Sequence, residues 1–359
     1  MTDRRAAEPL LEIKDLRTGF WTEAGLVRAV DGVSMTIANG ERLGIVGESG
    51  SGKSALAASL LRLIGPTSGE ILCGEILYRG RDLLALSEDQ MRSVRGGEIG
   101  MIFQDPITAL DPVFTIGDQL TETIRLHRRV GRREARDLAI QALTDVQIQN
   151  PAQRLDAYPH QLSGGMRQRI VIAIALSCQP SLLIADEPTT ALDVTTQAQI
   201  LDLIGRLADD RGMAVILITH DLGVVAGFCE TVHVMYAGRI IESGPAAAIY
   251  HRTQHPYSAG LLGSLARLDA ARQERLSPVR GMPPSLIDRP SGCAFHPRCD
   301  HAAARCRVES PELISHGGDQ LAACHLAGQL DLAGLAGGGA GLAASGAGPI
   351  IPQRSGATG

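Results

Sequence analysis

At 359 residues, with 44% hydrophobic and 20% charged side chains, the chain has a globular composition and enough length for a sizeable core plus a smaller appended unit. Aromatic residues make up only 3% and the formal net charge is −5, which excludes a base-stacking platform for single-stranded nucleic acid and a strongly basic duplex binder. The segment MTDRRAAEPL lacks an apolar signal-peptide core, and the seven cysteines show no secreted disulfide framework, so a cytosolic, reducing setting is expected.

The first predicted element with chemical content is a buried strand over Leu43 to Val46, followed by GESGSGKS (47 to 54) and a helix from Lys53 onward. The octet fits GxxxxGK[ST]. Its glycines let backbone N–H groups curl around phosphate oxygens, Lys53 reaches the outer phosphates and Ser54 ligates magnesium. Gly47, Glu48, Ser49, Gly50, Ser51 and Gly52 form the cradle, and the helix start adds a positive dipole end beneath it. A nucleoside triphosphate is the expected ligand.

A second strand over Ile99 to Phe103 ends at Gln104, whose amide can reach both the metal and an attacking water. Residues 105 to 160 carry helical patterns, IGDQLTETIRLHR and REARDLAIQALTDV, with few strand candidates, and read as a helical subdomain inserted into an α/β core. The basic run RLHRRVGRREARD (125 to 137) reads as a solvated helix face. Next comes LSGGM (162 to 166) before RQRIVIAIALS. Ser163 is placed at the helix cap, and Gly164 and Gly165 admit close backbone approach, which makes a second anion site.

The third strand, Leu182 to Ala185, runs into Asp186 and Glu187. Asp186 suits the magnesium shell, and Glu187 can orient or deprotonate a water for attack on the γ-phosphate. The fourth, Val215 to Ile218, ends at His220, where an imidazole can contact the γ-phosphate and that water. Polar clusters at four strand carboxyl ends mark the ligand edge of a parallel α/β sheet. Beyond Gly244, prolines interrupt regular structure and Cys293, Cys299, Cys306 and Cys324 follow at spacings x5, x6 and x17, which in a reduced compartment points to a metal centre. Zinc would more often use a close CxxC pair; free structural thiols are the plain alternative, and His296, His301 and His325 are near enough in sequence to substitute as ligands. LAGLAGGGAGLAASGAGPIIPQ (332 to 353) is too weakly apolar for a membrane span and reads as a flexible tail.

Taken together, these motifs resemble the ATP-binding subunits of ABC transporters over roughly residues 10 to 325, with six elements in family order. The resemblance identifies Gly47 to Ser54 as Walker A, Gln104 as the glutamine loop, Leu162 to Met166 as the signature and Leu182 to Asp186 as Walker B. It makes Glu187 catalytic, Ala191 to Asp193 the D-loop and His220 the switch histidine. It also implies an aromatic that stacks on adenine, with Phe20 preferred over Trp21.

GESGSGKS, IFQDPITALDP, YPHQLSGGMRQR, ADEPTTALDV and QHPYSAGLL look like the oligopeptide/dipeptide importer branch, which includes nickel and some glycoside or opine importers. In that branch a region resembling SGCAFHPRC(x6)C is associated with an iron-sulfur cluster. The resemblance therefore favours a four-iron four-sulfur (4Fe-4S) cluster on the four cysteines over Zn2+.

The domains implied are residues 1–104 and 161–250 for the nucleotide-binding core, 105–160 for the helical insertion, 251–326 for the small irregular C-terminal domain and 327–359 for the tail. The partners implied are a second, distinct ATPase subunit, two transmembrane permease subunits and, indirectly, an extracytoplasmic solute-binding protein. Nucleic acid is not among them, and the implied location is the cytoplasmic face of the inner membrane. In such a dimer Ser163, Gly164 and Gly165 serve the nucleotide of the partner. A non-transport ABC ATPase would usually carry two cassettes or a coiled-coil insertion, neither of which is present. An exporter ATPase would not carry the peptide-importer C-terminal pattern, and a P-loop kinase has no use for LSGGM.

Overall fold

The computed structural model describes residues 8–65, 69–105, 109–190, 192–264 and 279–332. Of the expected tail, 327–359, the part from 333 onward lies outside the described residues, as does Ala191 of the D-loop, while Ala327 and Leu332 are described and buried, so the chain stays packed to residue 332. In chain order the strands are β1 Leu11–Thr22, β2 Gly25–Ile37, β3 Arg42–Val46, β4 Gly69–Tyr78, β5 Arg81–Asp82, β6 Ile99–Ile102, β7 Leu182–Asp186, β8 Ala214–Thr219, β9 Thr231–Tyr236, β10 Arg239–Pro245, β11 Ile314–Ser315 and β12 Leu321–Ala322. The helices are α1 Lys53–Leu60, α2 Glu88–Val94, α3 Ile116–Arg128, α4 Arg132–Asp145, α5 Pro151–Arg154, α6 Gly164–Leu176, α7 Val194–Arg211, α8 Leu222–Phe228, α9 Ala246–His251 and α10 Pro256–Gly263.

Two sheets organise the molecule. The larger runs β11-β12-β10-β9-β3-β8-β7-β6, and its stretch from β9 to β6 is parallel. The four apolar runs of the sequence are its adjacent strands β3, β8, β7 and β6, the last at the edge. A parallel sheet covered on both faces buries both sides of each strand, so continuous apolar runs, rather than alternation, are its sequence signature. The smaller sheet, β2-β1-β4-β5, is antiparallel throughout and was not foreseen. In β2 inward Val33, Met35 and Ile37 alternate with outward Ser34 and Thr36, a half-buried pattern that a search for solid apolar runs passes over.

Helices α3 and α4 lie between β6 and β7 in the chain. Thr115 caps α3 with a reciprocal capping box to Asp118, and Ile116, Leu120 and Ile124 form its buried stripe. These side chains share one apolar core with Ala139 and Leu143 of α4, Ile170 of α6, and Val46 and Ile102 of the sheet. Tyr257 and Phe295 belong to the same core, so the chain after α10 packs on the nucleotide end of the sheet instead of forming its own interior. Asp31 of β2 ties several parts together: it pairs with Arg17 of β1 at 3.2 Å, with Arg239 of β10 at 2.7 Å, and with Arg289.

Candidate nucleotide site

Four adjacent parallel strands end on one edge, and each delivers one of the predicted groups. β3 runs into the loop Gly47 to Gly52. Its glycines are required by space as well as by torsion: a Cβ at Gly47 would meet the carbonyl of Met235, and Gly52, at φ +107°, would meet that of Ala29. Gly50 is also left-handed, at φ +77°. Ser49 and Gly50 are exposed at the tip, while the hydroxyl of Ser51 is buried without a hydrogen-bond partner. Lys53 opens α1, and its ammonium donates to the carbonyls of Gly47 at 2.8 Å and Glu48 at 3.0 Å. Burial pulls the Lys53 pKa down, against the attraction of Glu187, Asp186 and Glu48.

Asp186 ends β7, and Glu187 follows it in a left-handed conformation, φ +48°, with its N–H bonded to the carbonyl of Ile218 at 2.9 Å. This kink turns the chain off the sheet and presents the carboxylate to the neighbouring strand ends. One Glu187 oxygen accepts from the Gln104 amide at 3.1 Å and from the Thr190 hydroxyl at 2.9 Å; the other faces Nδ1 of His220 at 3.5 Å. The structure thus brings together Gln104, Glu187 and His220 from three strand ends. Burial works to raise the Glu187 pKa, but Thr190, His220 and Lys53 overcome it and hold this carboxyl below its ordinary range.

Asp186 behaves oppositely. Burial, with the adjacent Glu187 charge, raises its pKa, while the Ser54 hydroxyl and Lys53 work the other way. Its Oδ1 is buried with no hydrogen-bond partner among the described residues. An orphaned carboxylate oxygen near a hydroxyl is a good arrangement for a hard cation with oxygen ligands. Ser54 and Asp186, with Gln104 beyond β6, therefore fit Mg2+.

Ser163 caps α6, accepting from the Met166 N–H at 3.4 Å. A Cβ at Gly164 would meet open space, so this helix start is bare on its outer side. No hydrogen bond among the described residues joins Ser163, Gly164 or Gly165 to the Gly47–Ser54 loop. Asp193 caps α7 through the Thr196 N–H at 3.0 Å. Phe20 lies in β1, pairing with Val27 and Gly69, and its ring packs over Gly69.

Cys293, Cys299, Cys306 and Cys324 all line one small pocket of about 20 Å3, together with His255, His296, His301 and His325. Burial pushes the thiols of Cys293 and Cys299 up, and that of Cys324 to about 11. Among the described residues no group of three or more His, Cys, Asp or Glu side chains sits at single-ion spacing.

Three residues of the site were missed from sequence. Thr190 was in view, three positions after Glu187. Tyr257 and Arg298 gave no local signal: the Tyr257 hydroxyl accepts from the Glu48 N–H at 2.8 Å, and Arg298 grips the Glu48 carboxylate at 2.7 and 3.0 Å.

Residues 30–190 match the family model described as ABC transporter, and residues 241–306 match that of the oligopeptide/dipeptide transporter C-terminal region. A protein of Brucella melitensis named as a peptide import ATP-binding protein is 50% identical, covering 86% of this chain and 94% of its own length. The dipeptide transport ATP-binding protein DppD of Bacillus subtilis is also 50% identical, over 83% of this chain and 89% of its own. Among solved structures, a dimeric ATP-binding cassette in a post-hydrolysis state bound to ADP and Pi matches with TM-score 0.59 at 27% identity, covering 66% of this chain and 98% of that one.

Proposed function

The chain belongs to the ATP-binding subunits of ABC transporters, in the oligopeptide/dipeptide import branch, and from that premise we propose how its residues are used. It hydrolyses ATP to drive import of peptides through membrane permease subunits. No helix among the described residues is long and apolar enough to cross a membrane.

The observation that carries the site assignment is the convergence of Gln104, Glu187 and His220 beside the phosphate loop. Gly47 to Ser54 bind the phosphates, with Lys53 leaving the loop carbonyls for the outer phosphate oxygens. Glu187 orients the attacking water and takes its proton, and His220 and Gln104 hold that water and the Glu187 carboxylate in line. Mg2+ on Ser54, Asp186 and Gln104 would draw charge from the β- and γ-phosphate oxygens as it develops. Phe20 stacks on the adenine. Ser163, Gly164 and Gly165 close over the nucleotide of a second, distinct ATPase subunit, which explains why their outer side is bare in one chain.

The functional units are residues 1–104 and 161–250 for the nucleotide core, 105–160 for the helical insertion and 251–326 for the cysteine-containing C-terminal region. Exposed Phe103, Val113 and Phe114, at 47, 70 and 53%, lie on either side of Gln104 in the chain and support docking of a permease helix, and with it a position at the cytoplasmic face of the inner membrane. A solute-binding protein acts on it only through the permeases.

The four thiols line one small pocket, and the occupant we propose for it is a 4Fe-4S cluster rather than zinc, on the resemblance to importers whose cysteine region is associated with such a cluster. Bound there, it would add its binding free energy to the folding of a segment with little core of its own. Iron, sulfide and zinc analysis of anaerobically purified protein decides between them: stoichiometric zinc without iron overturns the cluster. The transport reading is tested by reconstitution with the permeases and partner ATPase, where peptide-loaded binding protein should raise ATP turnover. Turnover that ignores peptide would refute it.

A further inference from the structure

Glu48 is an odd residue for a phosphate cradle, since a carboxylate there opposes the anion the loop is built to hold. The structure shows what answers it. Arg298 meets the Glu48 carboxylate with both terminal nitrogens, at 2.7 and 3.0 Å, across 250 residues of chain. Its side chain is only 6% exposed and is itself fixed in place. Nε donates to the carbonyl of Arg280 at 2.7 Å and a terminal nitrogen to that of Gly281 at 3.2 Å, while the guanidinium lies 5.9 Å from the ring centres of Tyr236 and Phe295.

The main chain of Glu48 is held from the same direction, through the buried Tyr257 hydroxyl. Tyr236, Tyr257 and Phe295 pack ring on ring at 4.6 to 5.5 Å, joining β9, α10 and the cysteine segment into one support. Both the backbone and the side chain of the second loop residue thus hang on groups outside the loop. Arg298 directly precedes Cys299 and closes a short turn that begins at His296, so its position follows from the fold of the cysteine segment.

We infer that Arg298 is a positioning residue of the nucleotide site: it neutralises Glu48 and, with Tyr257, holds the first half of the phosphate loop in its binding shape. Nucleotide affinity therefore requires the C-terminal cysteine segment to be folded against the loop. A fork-to-fork guanidinium–carboxylate pair with its carbonyl supports is pre-organised, so the loop needs little further ordering when phosphates arrive. Without Arg298 the loop loses that order and keeps an uncompensated negative charge.

The inference rests on the reading of Gly47 to Ser54 as the nucleotide loop, and one set of titrations separates the two. Binding of trinitrophenyl-ATP with Mg2+ is followed by fluorescence on the full chain. Arg298→Ala should raise Kd about ten-fold, the scale of losing a charge-assisted pair. Arg298→Lys, which keeps the charge and loses the fork, should fall between. In a Glu48→Ala background Arg298→Ala should add less than about two-fold, because its partner is already gone. Arg305→Ala removes an exposed pair to Glu309 in the same region and should leave Kd unchanged. Parent-like binding by Arg298→Ala overturns the inference. So does an undiminished loss in the Glu48→Ala background, which would mark general unfolding of the segment. Lys53→Ala that still binds nucleotide would instead overturn the loop reading itself.

Discussion

Replacing Glu187 by glutamine keeps the shape of the side chain and removes its charge. The amide carbonyl can still accept from the Thr190 hydroxyl, which the carboxylate does at 2.9 Å, so the left-handed turn at residue 187 has no reason to move. What disappears is the proposed base. Thr190, His220 and Lys53 hold the Glu187 carboxyl below its ordinary range against burial, so it is ionised at neutral pH and ready to accept a proton, which an amide cannot do. Loss of a positioned general base typically costs 10²- to 10⁴-fold in rate, or about 3–5 kcal/mol of barrier at 1.36 kcal/mol per decade. Binding should respond in the other direction. Glu187 is the foremost carboxylate acting on Lys53, and neutralising it leaves the lysine freer for phosphate. Glu187→Gln should therefore hold or tighten ATP affinity while turnover collapses, and should accumulate an ATP-closed dimer. Phosphate release by the reconstituted transporter gives kcat and KM separately, and size exclusion with Mg-ATP reports the dimer. A kcat within about three-fold of the parent, or a fall in affinity matching the fall in kcat, would refute the reasoning.

Lys53→Ala should abolish detectable ATP binding in the same titration, because the point charge on the outer phosphates is gone. Asp31→Asn leaves Arg289, 16% exposed, and the exposed Arg239 facing a neutral amide, and should cost about 1–3 kcal/mol in denaturant unfolding. Burial pushes the Asp31 carboxyl up, but Arg239 and Arg289 outweigh it and hold it below its ordinary value in the fold. The stability it contributes is then complete above the ordinary carboxylate range near pH 4 and lost as pH falls through the lower folded value, so the deficit of the variant should shrink only in acid. Ser163→Ala in one subunit of the assembled pair should reduce nucleotide trapping at the Walker A of the other, measured site by site. Serine replacement of Cys293, Cys299, Cys306 or Cys324, one at a time, should release bound iron and lower the melting temperature.

The chemistry of the phosphate loop was legible because it is local. Eight consecutive residues between an apolar run and a helix specify a backbone curl, a lysine and a hydroxyl, and no distant residue is needed to recognise them. Asp186, Glu187, Gln104 and His220 could be placed for a related reason: parallel strands buried on both faces are solid apolar runs, and the residue after each run falls on the same sheet edge. The antiparallel sheet was hidden because β1 and β2 mix inward apolar residues with outward charges and hydroxyls, and their pairing depends on partners elsewhere in the chain.

The sequence by itself determined which loop is shaped to cradle phosphates and that Gln104, Asp186, Glu187 and His220 fall at strand ends on one edge, since those follow from short-range spacing and from the two-sided burial of parallel strands. Only the tertiary structure decided what holds that loop. Glu48 and Arg298 stand 250 residues apart, and neither spacing nor composition sets an arginine beside a given carboxylate. Their meeting is produced by the packing of Tyr236, Tyr257 and Phe295, three rings from separate segments whose shared burial brings the cysteine region down onto the phosphate loop. Long-range pairing of this kind is a property of the assembled core, because only there are the two groups drawn out of water and held within hydrogen-bond reach.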